Sequence, residues 1–114
     1  MRAAFPLVRY SEDPLNQALT PKAPRATVRI LAALSDEKRY SIVELLSQRG
    51  ELSCGAICGS LGMSPSLLSH HLTILEAASV VERRKDGLWT LNRLRRDVLA
   101  LHISELEGLL QPTA

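Results

Sequence analysis

From Thr27 onward, apolar residues recur at helical spacing. Val28, Leu31, Ala32 and Leu34 set a helical pattern, and Tyr40, Ile42, Val43, Leu45 and Leu46 continue as a second helical stretch that stops at Gly50. Between the two, Ser35-Asp36-Glu37 reads as a helix start, with Ser35 as the cap and the two carboxylates complementing the positive end of the helix dipole. Ser53 is a second candidate cap. Behind it Cys54, Ile57, Cys58 and Leu61 fall at i, i+3, i+4, i+7, and Gly62 closes the segment. Ser64-Pro65 then opens another helix over 65–78, because proline is favoured at the first helical position. Its two faces differ sharply. Leu68, Leu72 and Leu75 form one side, flanked by His71, while Ser66, Ser69, His70 and Thr73 form the other.

After residue 79 the pattern changes. Residues 80–85 (Val-Val-Glu-Arg-Arg-Lys) predict a strand, Asp86-Gly87 a type I′ hairpin turn, and 88–91 (Leu-Trp-Thr-Leu) the returning strand. Val98, Leu99, Leu101, His102, Ile103, Leu106, Leu109 and Leu110 predict a last helix with a wide apolar surface. Ahead of the pattern, Pro6, Pro14, Pro21 and Pro24 punctuate a poorly patterned arm, in which Leu15, Ala18 and Leu19 allow one short helix. The expected organisation is an arm over 1–25, a core domain over 26–94 and a terminal helix over 95–114. The fold class is mainly α with a β-hairpin wing.

Composition narrows the picture. The chain has 114 residues, enough for one compact domain, and 46% are hydrophobic but only 4% aromatic, so the core is aliphatic. Such a core buries roughly two-thirds of the unfolded surface, and a second copy would add to it. Net charge is only +2, but between Ser53 and Arg96 the basic residues exceed the acidic ones by three, and Arg83, Arg84 and Lys85 stand together. The two cysteines, Cys54 and Cys58, are not a secreted disulfide framework. Neither a signal peptide nor an apolar run near the ~20 residues of a membrane span stands out, so the cytoplasm is the expected location. No acid–base pair, nucleophile elbow or phosphate loop points to an enzyme.

Two helices joined by a glycine turn and followed by a basic hairpin are the order of a winged helix-turn-helix. In that reading the second helix enters the major groove of duplex DNA, and Ser66, Ser69, His70 and Thr73 supply short donors and acceptors for base edges. Ser64 and the helix N-terminus would hold a phosphate, and Arg83, Arg84 and Lys85 would lie along the backbone or minor groove. Packing is the stronger reading for His71, whereas Lys38 and Arg39 fit phosphate contact and plain solvation equally.

The run ALSDEKRYSIVELL…GELSCGAICGSLGMSPSLLSHHLTILEAASVVERRKDGLWTLNRL resembles the ArsR/SmtB family of metal- and stress-sensing repressors, over roughly 28–94. The resemblance implies a homodimer joined by its N- and C-terminal helices, and repression relieved by an inducer. In arsenic-sensing members, thiolates cluster where this chain has Ser53-Cys54-Gly55-Ala56-Ile57-Cys58; the paired positions fall on Ser53 and Gly55, Cys58 matches an accessory cysteine, and Cys54 stands where valine is usual. Two readings of Cys54 and Cys58 follow. At i, i+4 they could grip one arsenite or soft metal ion, or serve as a redox site; alternatively, and with more weight, both pack in the core. A further family site uses histidine and carboxylates on the last helix. Here His102 and Glu105 form an HxxE fragment whose upstream partners are missing from 89–94, so a metal role there is the minor reading. A regulator with neither site, controlled by a partner protein or by abundance, is the alternative.

Overall fold

A computed structural model describes residues 22–112. The elements run α1 (Lys22–Leu34), α2 (Glu37–Arg49), β1 (Leu52–Ser53), α3 (Cys54–Leu61), α4 (Pro65–Ala77), β2 (Val81–Asp86), β3 (Trp89–Leu94) and α5 (Arg96–Gly108). This is the expected helical domain with a hairpin wing. The short helix expected after Pro14 lies outside the described residues. Helix α1 begins at Lys22, ahead of where the apolar periodicity starts, with Pro24 in its first turn, where a missing N–H costs no hydrogen bond.

Local chemistry accounts for most boundaries. Ser53 Oγ accepts from Ala56 N at 3.1 Å and Ser64 Oγ from Leu67 N at 3.2 Å, so both predicted caps form. Gly62 adopts the left-handed region (φ 63°, ψ 39°), which closes α3 and sets the turn into α4. One expectation is corrected. Asp36, not Ser35, caps α2: its carboxylate accepts from Lys38 N at 2.9 Å and Arg39 N at 3.1 Å, and the Arg39 backbone bond holds its pKa below the usual carboxylate range. Ser35 instead donates back to Ala32 O at 2.7 Å and finishes α1.

The hairpin also differs. Asp86 pairs with Trp89, so the two-residue turn is Gly87-Leu88 rather than Asp86-Gly87. Only Gly87 has positive φ (62°), which is the φ signature of a type II′ turn, not I′. The first strand is shifted by one residue, and the returning strand runs longer than the apolar pattern indicated, to Leu94, with Arg93 paired to Glu82 across the sheet at 2.7 Å. The two-residue β1 was not anticipated. It pairs antiparallel with β3, giving the sheet order β1-β3-β2.

The core gathers Ile30, Ala33, Ile42, Leu46, Ile57, Leu68, Leu72, Leu75, Val80 and Val81, drawn from α1 through β2. Four polar side chains are buried among the described residues, Thr27, His71, Asn92 and His102, and Asn92 is the most enclosed. Asn92 is fully buried; its Oδ1 accepts from Arg83 Nε at 3.1 Å and its Nδ2 donates to Leu52 O at 3.1 Å, so it ties β1 to β3 and fixes the Arg83 guanidinium. Removing that amide leaves the part-buried Leu52 carbonyl without this donor and the Arg83 guanidinium without its acceptor. Asn92→Leu is therefore expected to lower stability by about 1–3 kcal/mol in a denaturant melt; an unchanged midpoint would show that the amide is not a structural tie.

Candidate nucleic-acid interface

Helix α4 is amphipathic in the sense that the pattern required. Leu68, Leu72 and Leu75 are buried, and His71 is buried beside them. Ser66, Ser69, His70 and Thr73 all face solvent, with Ser64 exposed at the cap. Thr73 Oγ1 donates to Ser69 O at 2.8 Å, so its hydroxyl oxygen remains available as an acceptor. The exposed surface of α4 thus offers short polar groups and one imidazole next to a capped helix N-terminus whose dipole favours an anion.

His71 explains why Arg39 is not a surface cation. Arg39 Nε donates to Ala33 O at 2.7 Å, where α1 ends, and Nη1 approaches His71 Nδ1 at 3.3 Å. One guanidinium therefore joins α1, α2 and α4. Burial lowers the His71 pKa, with Arg39 working in the same direction and Asp36 opposing it, so the neutral ring accepts from Arg39. Lys38 stays exposed.

The wing's cations are distributed unequally. Arg83 turns toward the helices, where it meets Asn92 and approaches Glu76 Oε1 at 3.7 Å. Arg84 forms a two-pronged pair with Glu51 at 2.9 and 3.0 Å, which lowers the Glu51 pKa. Lys85 is exposed and has no carboxylate partner among the described residues. Exposed pairs such as Arg84–Glu51 hold weakly and exchange readily for a phosphate.

Cys54 and Cys58 are free thiols, both partly buried against the core. The Cys54 sulfur faces Asn92 Nδ2 at 3.5 Å and Arg83 Nη2 at 3.9 Å, an arrangement that spacing alone does not reveal. Among the described residues no three His, Cys, Asp or Glu side chains cluster as a metal site. His102 and Glu105 belong to a different arrangement. Thr27 Oγ1 donates to Glu105 Oε1 at 2.6 Å, and His102 Nδ1 lies 2.8 Å from Thr27 Oγ1 and 3.0 Å from Glu105 Oε1. The Thr27 hydroxyl hydrogen is committed to Glu105, so Nδ1–H of His102 is the donor in this triangle. The bonds from Thr27 and then His102 lower the Glu105 pKa. The HxxE fragment thus ties α1 to α5.

Helix-turn-helix, recognition-type helix and paired-strand wing together define a winged helix-turn-helix, the architecture of a class of transcriptional regulators rather than of enzymes. The family model of the bacterial regulatory proteins of the arsR family matches residues 36–83. A putative arsenical resistance operon repressor from Halobacterium salinarum is 40% identical over 80 residues, covering 68% of this chain and 60% of that protein. The transcriptional repressor SdpR of Bacillus subtilis is 33% identical over 70 residues, covering 61% of this chain and 77% of SdpR. An ArsR-like transcriptional regulator from Rhodococcus sp. RHA1 superposes with a TM-score of 0.72 at 28% identity, over 78% of this chain and 83% of that one. A homodimeric winged helix-turn-helix domain from Mycobacterium bovis does so with a TM-score of 0.65 at 28% identity, over 85% and 86%. The chain belongs to the ArsR family. It spans about 60% of the length of the arsenical resistance relative.

The depressed His71 pKa carries a pH consequence. The unfolded ring takes up a proton near its ordinary value of 6.5 and the folded ring only at lower pH. Between those values the unfolded state holds more protons, so stability rises with pH there. The contribution is complete above 6.5 and is lost as pH falls below it. Melts of the wild type and His71→Gln across that range are expected to show a smaller pH slope in the variant; equal slopes would remove His71 as the source.

Proposed function

We propose that the protein is a homodimeric repressor that binds operator DNA through α4 and is released by an inducer. The single observation that carries this reading is the division of α4: its leucines are in the core, while Ser66, Ser69, His70 and Thr73 face solvent together. That face fits the major groove, where short hydroxyls and an imidazole reach base edges. Ser64 and the α4 N-terminus take a phosphate. Arg83, Arg84 and Lys85 serve the DNA backbone or minor groove. Lys85 is immediately available, and Arg84 becomes so by exchanging Glu51 for phosphate.

Dimerisation is supported by Val28 and Leu31 on α1 and Leu101 and Ile103 on α5, which are apolar and 46–62% exposed. Exposed apolar groups on both terminal helices favour burial against a second copy. In this reading residues 1–25 are an arm, 26–94 the DNA-binding domain and 95–114 the dimerisation segment. No described helix is long and apolar enough to cross a membrane, and the site of action is the cytoplasm, where the DNA lies.

For the inducer, Cys54 and Cys58 are the candidate ligands of arsenite or a soft metal ion, or the target of thiol oxidation. Their partial exposure supports access, and arsenical resistance is the role named for the Halobacterium relative. The second reading, regulation by a partner protein or by abundance without a thiol site, is favoured by the packing of both sulfurs against the core and by the lack of a third ligand among the described residues.

Gel shifts with the DNA upstream of the protein's own gene test both levels. Ser69→Ala together with His70→Ala is expected to weaken specific binding by about 1–3 kcal/mol per lost base contact while leaving non-specific binding in place. Equal losses on all sequences would remove α4 as the reading helix. Arsenite or an oxidant is expected to release the wild type but not the Cys54→Ser/Cys58→Ser variant. Release of both proteins alike would favour the reading without a thiol site.

A further inference from the structure

The tip of the wing is apolar where its chemistry calls for polar residues. Leu88, the second residue of the turn, is 99% exposed, and Trp89, which follows, is 63% exposed. Turn positions of this kind are normally taken by Gly, Asn, Asp or Ser, and neither side chain contributes to the core. Folding therefore does not explain them. Meanwhile the arginines of the wing are engaged by groups of this chain: Arg83 by Asn92 and Glu76, and the exposed Arg84 and Arg93 by Glu51 and Glu82. What the hairpin presents outward near its end is Lys85, Asp86, Leu88 and Trp89, with the two charges cancelling.

Resting on the DNA-binding reading, we infer that Leu88 and Trp89 form an apolar wedge that enters the minor groove beside the site read by α4. Three observations select this occupant. Strand β2 packs on α4, and the Arg83–Glu76 pair links them, so tip and reading helix form one continuous body. Lys85 pairs with Thr90, one step from the Asp86–Trp89 pair, so its ammonium stands on the opposite face of the hairpin from Trp89, placed for a phosphate wall while the apolar tip meets the sugar floor. Two side chains also cover far too little area for a protein interface, which needs on the order of 800 Å² per partner. They suffice for a wedge, since single apolar side chains inserted at a base step unstack and bend the duplex. Specificity for an easily deformed step then arises where no base edge is contacted.

Trp89 is the chain's one tryptophan and reports directly on the tip. The probe is the duplex that wild-type protein selects from a random DNA pool. On adding it, Trp89 emission is expected to shift and acrylamide quenching to fall. Trp89→Ala and Leu88→Ser are each expected to weaken binding on the order of tenfold with an unchanged dependence on salt. Lys85→Ala should instead reduce the salt slope by about one. Trp89→Phe restores most of the affinity, and circular dichroism shows each variant folded, as their exposure predicts. Unchanged emission in a complex that demonstrably forms, or wild-type affinity in both tip variants, overturns the wedge while leaving α4 as the reader. Emission that changes with protein concentration in the absence of DNA overturns it in favour of a protein contact. A wild-type protein that selects no duplex at all overturns the DNA-binding reading, and the wedge with it.

Discussion

Burial of the Leu68–Leu72–Leu75 stripe of α4 is the constraint on which the rest of the molecule depends. Those three side chains are essentially inaccessible and meet Ile42, Leu46 and Ile57 in one cluster. A helix has one rotation about its axis. Once the leucines are committed inward, Ser66, Ser69, His70 and Thr73 must point outward. The same burial brings α3 against α4 through the left-handed turn at Gly62, and it seats Val80 and Val81 so that the hairpin leaves the body beside α4. The exposed polar face of α4, proposed to read DNA, and the wing are therefore consequences of one packing event, and a core substitution here would disturb a surface it never reaches.

A second layer of organisation is polar and is built on arginine. Six of the guanidiniums hold parts of this chain together rather than waiting for a ligand, Arg96 among them through its 2.7 Å bond to Ser47 O. Arg39 ties the end of α1 to His71, Arg83 binds Asn92, Arg84 and Arg93 pair with Glu51 and Glu82, and Arg95 pairs with Asp97, pushing that carboxyl down to about 2. The exposed pairs contribute little each, but they set which cations are available. The positive field of the wing is thus smaller than its residue count implies, and its outward chemistry shifts toward Lys85 and the apolar tip.

The cysteines and His102 illustrate how the same residues change meaning with their surroundings. His102 and Glu105 have a spacing that fits metal ligation, but Thr27 completes a hydrogen-bonded triangle with them and ties α1 to α5. These are the two helices whose exposed apolar groups support the proposed dimer. Cys54 and Cys58 share a helix face, as their spacing requires, yet the Cys54 sulfur also faces Arg83 and Asn92. Any ligand taken there would be felt by the strand that carries the wing.

Periodicity and cap chemistry alone determined the helices, the Ser53 and Ser64 caps, the Gly50 and Gly62 stops, the two faces of α4 and the hairpin, because these depend on residues within a turn or two of one another. The cap at Asp36 was within reach of the same reasoning, since a carboxylate competes well with a hydroxyl for N-terminal amides; only the geometry separated it from Ser35. The turn type required the pairing of Asp86 with Trp89, which is a property of two strands and not of one dipeptide. Strand β1, the Asn92 tie, the Arg39–His71 contact and the Thr27–His102–Glu105 triangle left no local signal at all. Each joins residues far apart in the chain, and a side chain's partner across such a distance is decided only when packing has placed the elements. That is why the sequence alone pointed to a reading helix and a basic wing, while the tertiary structure decided which of the basic residues are free to act.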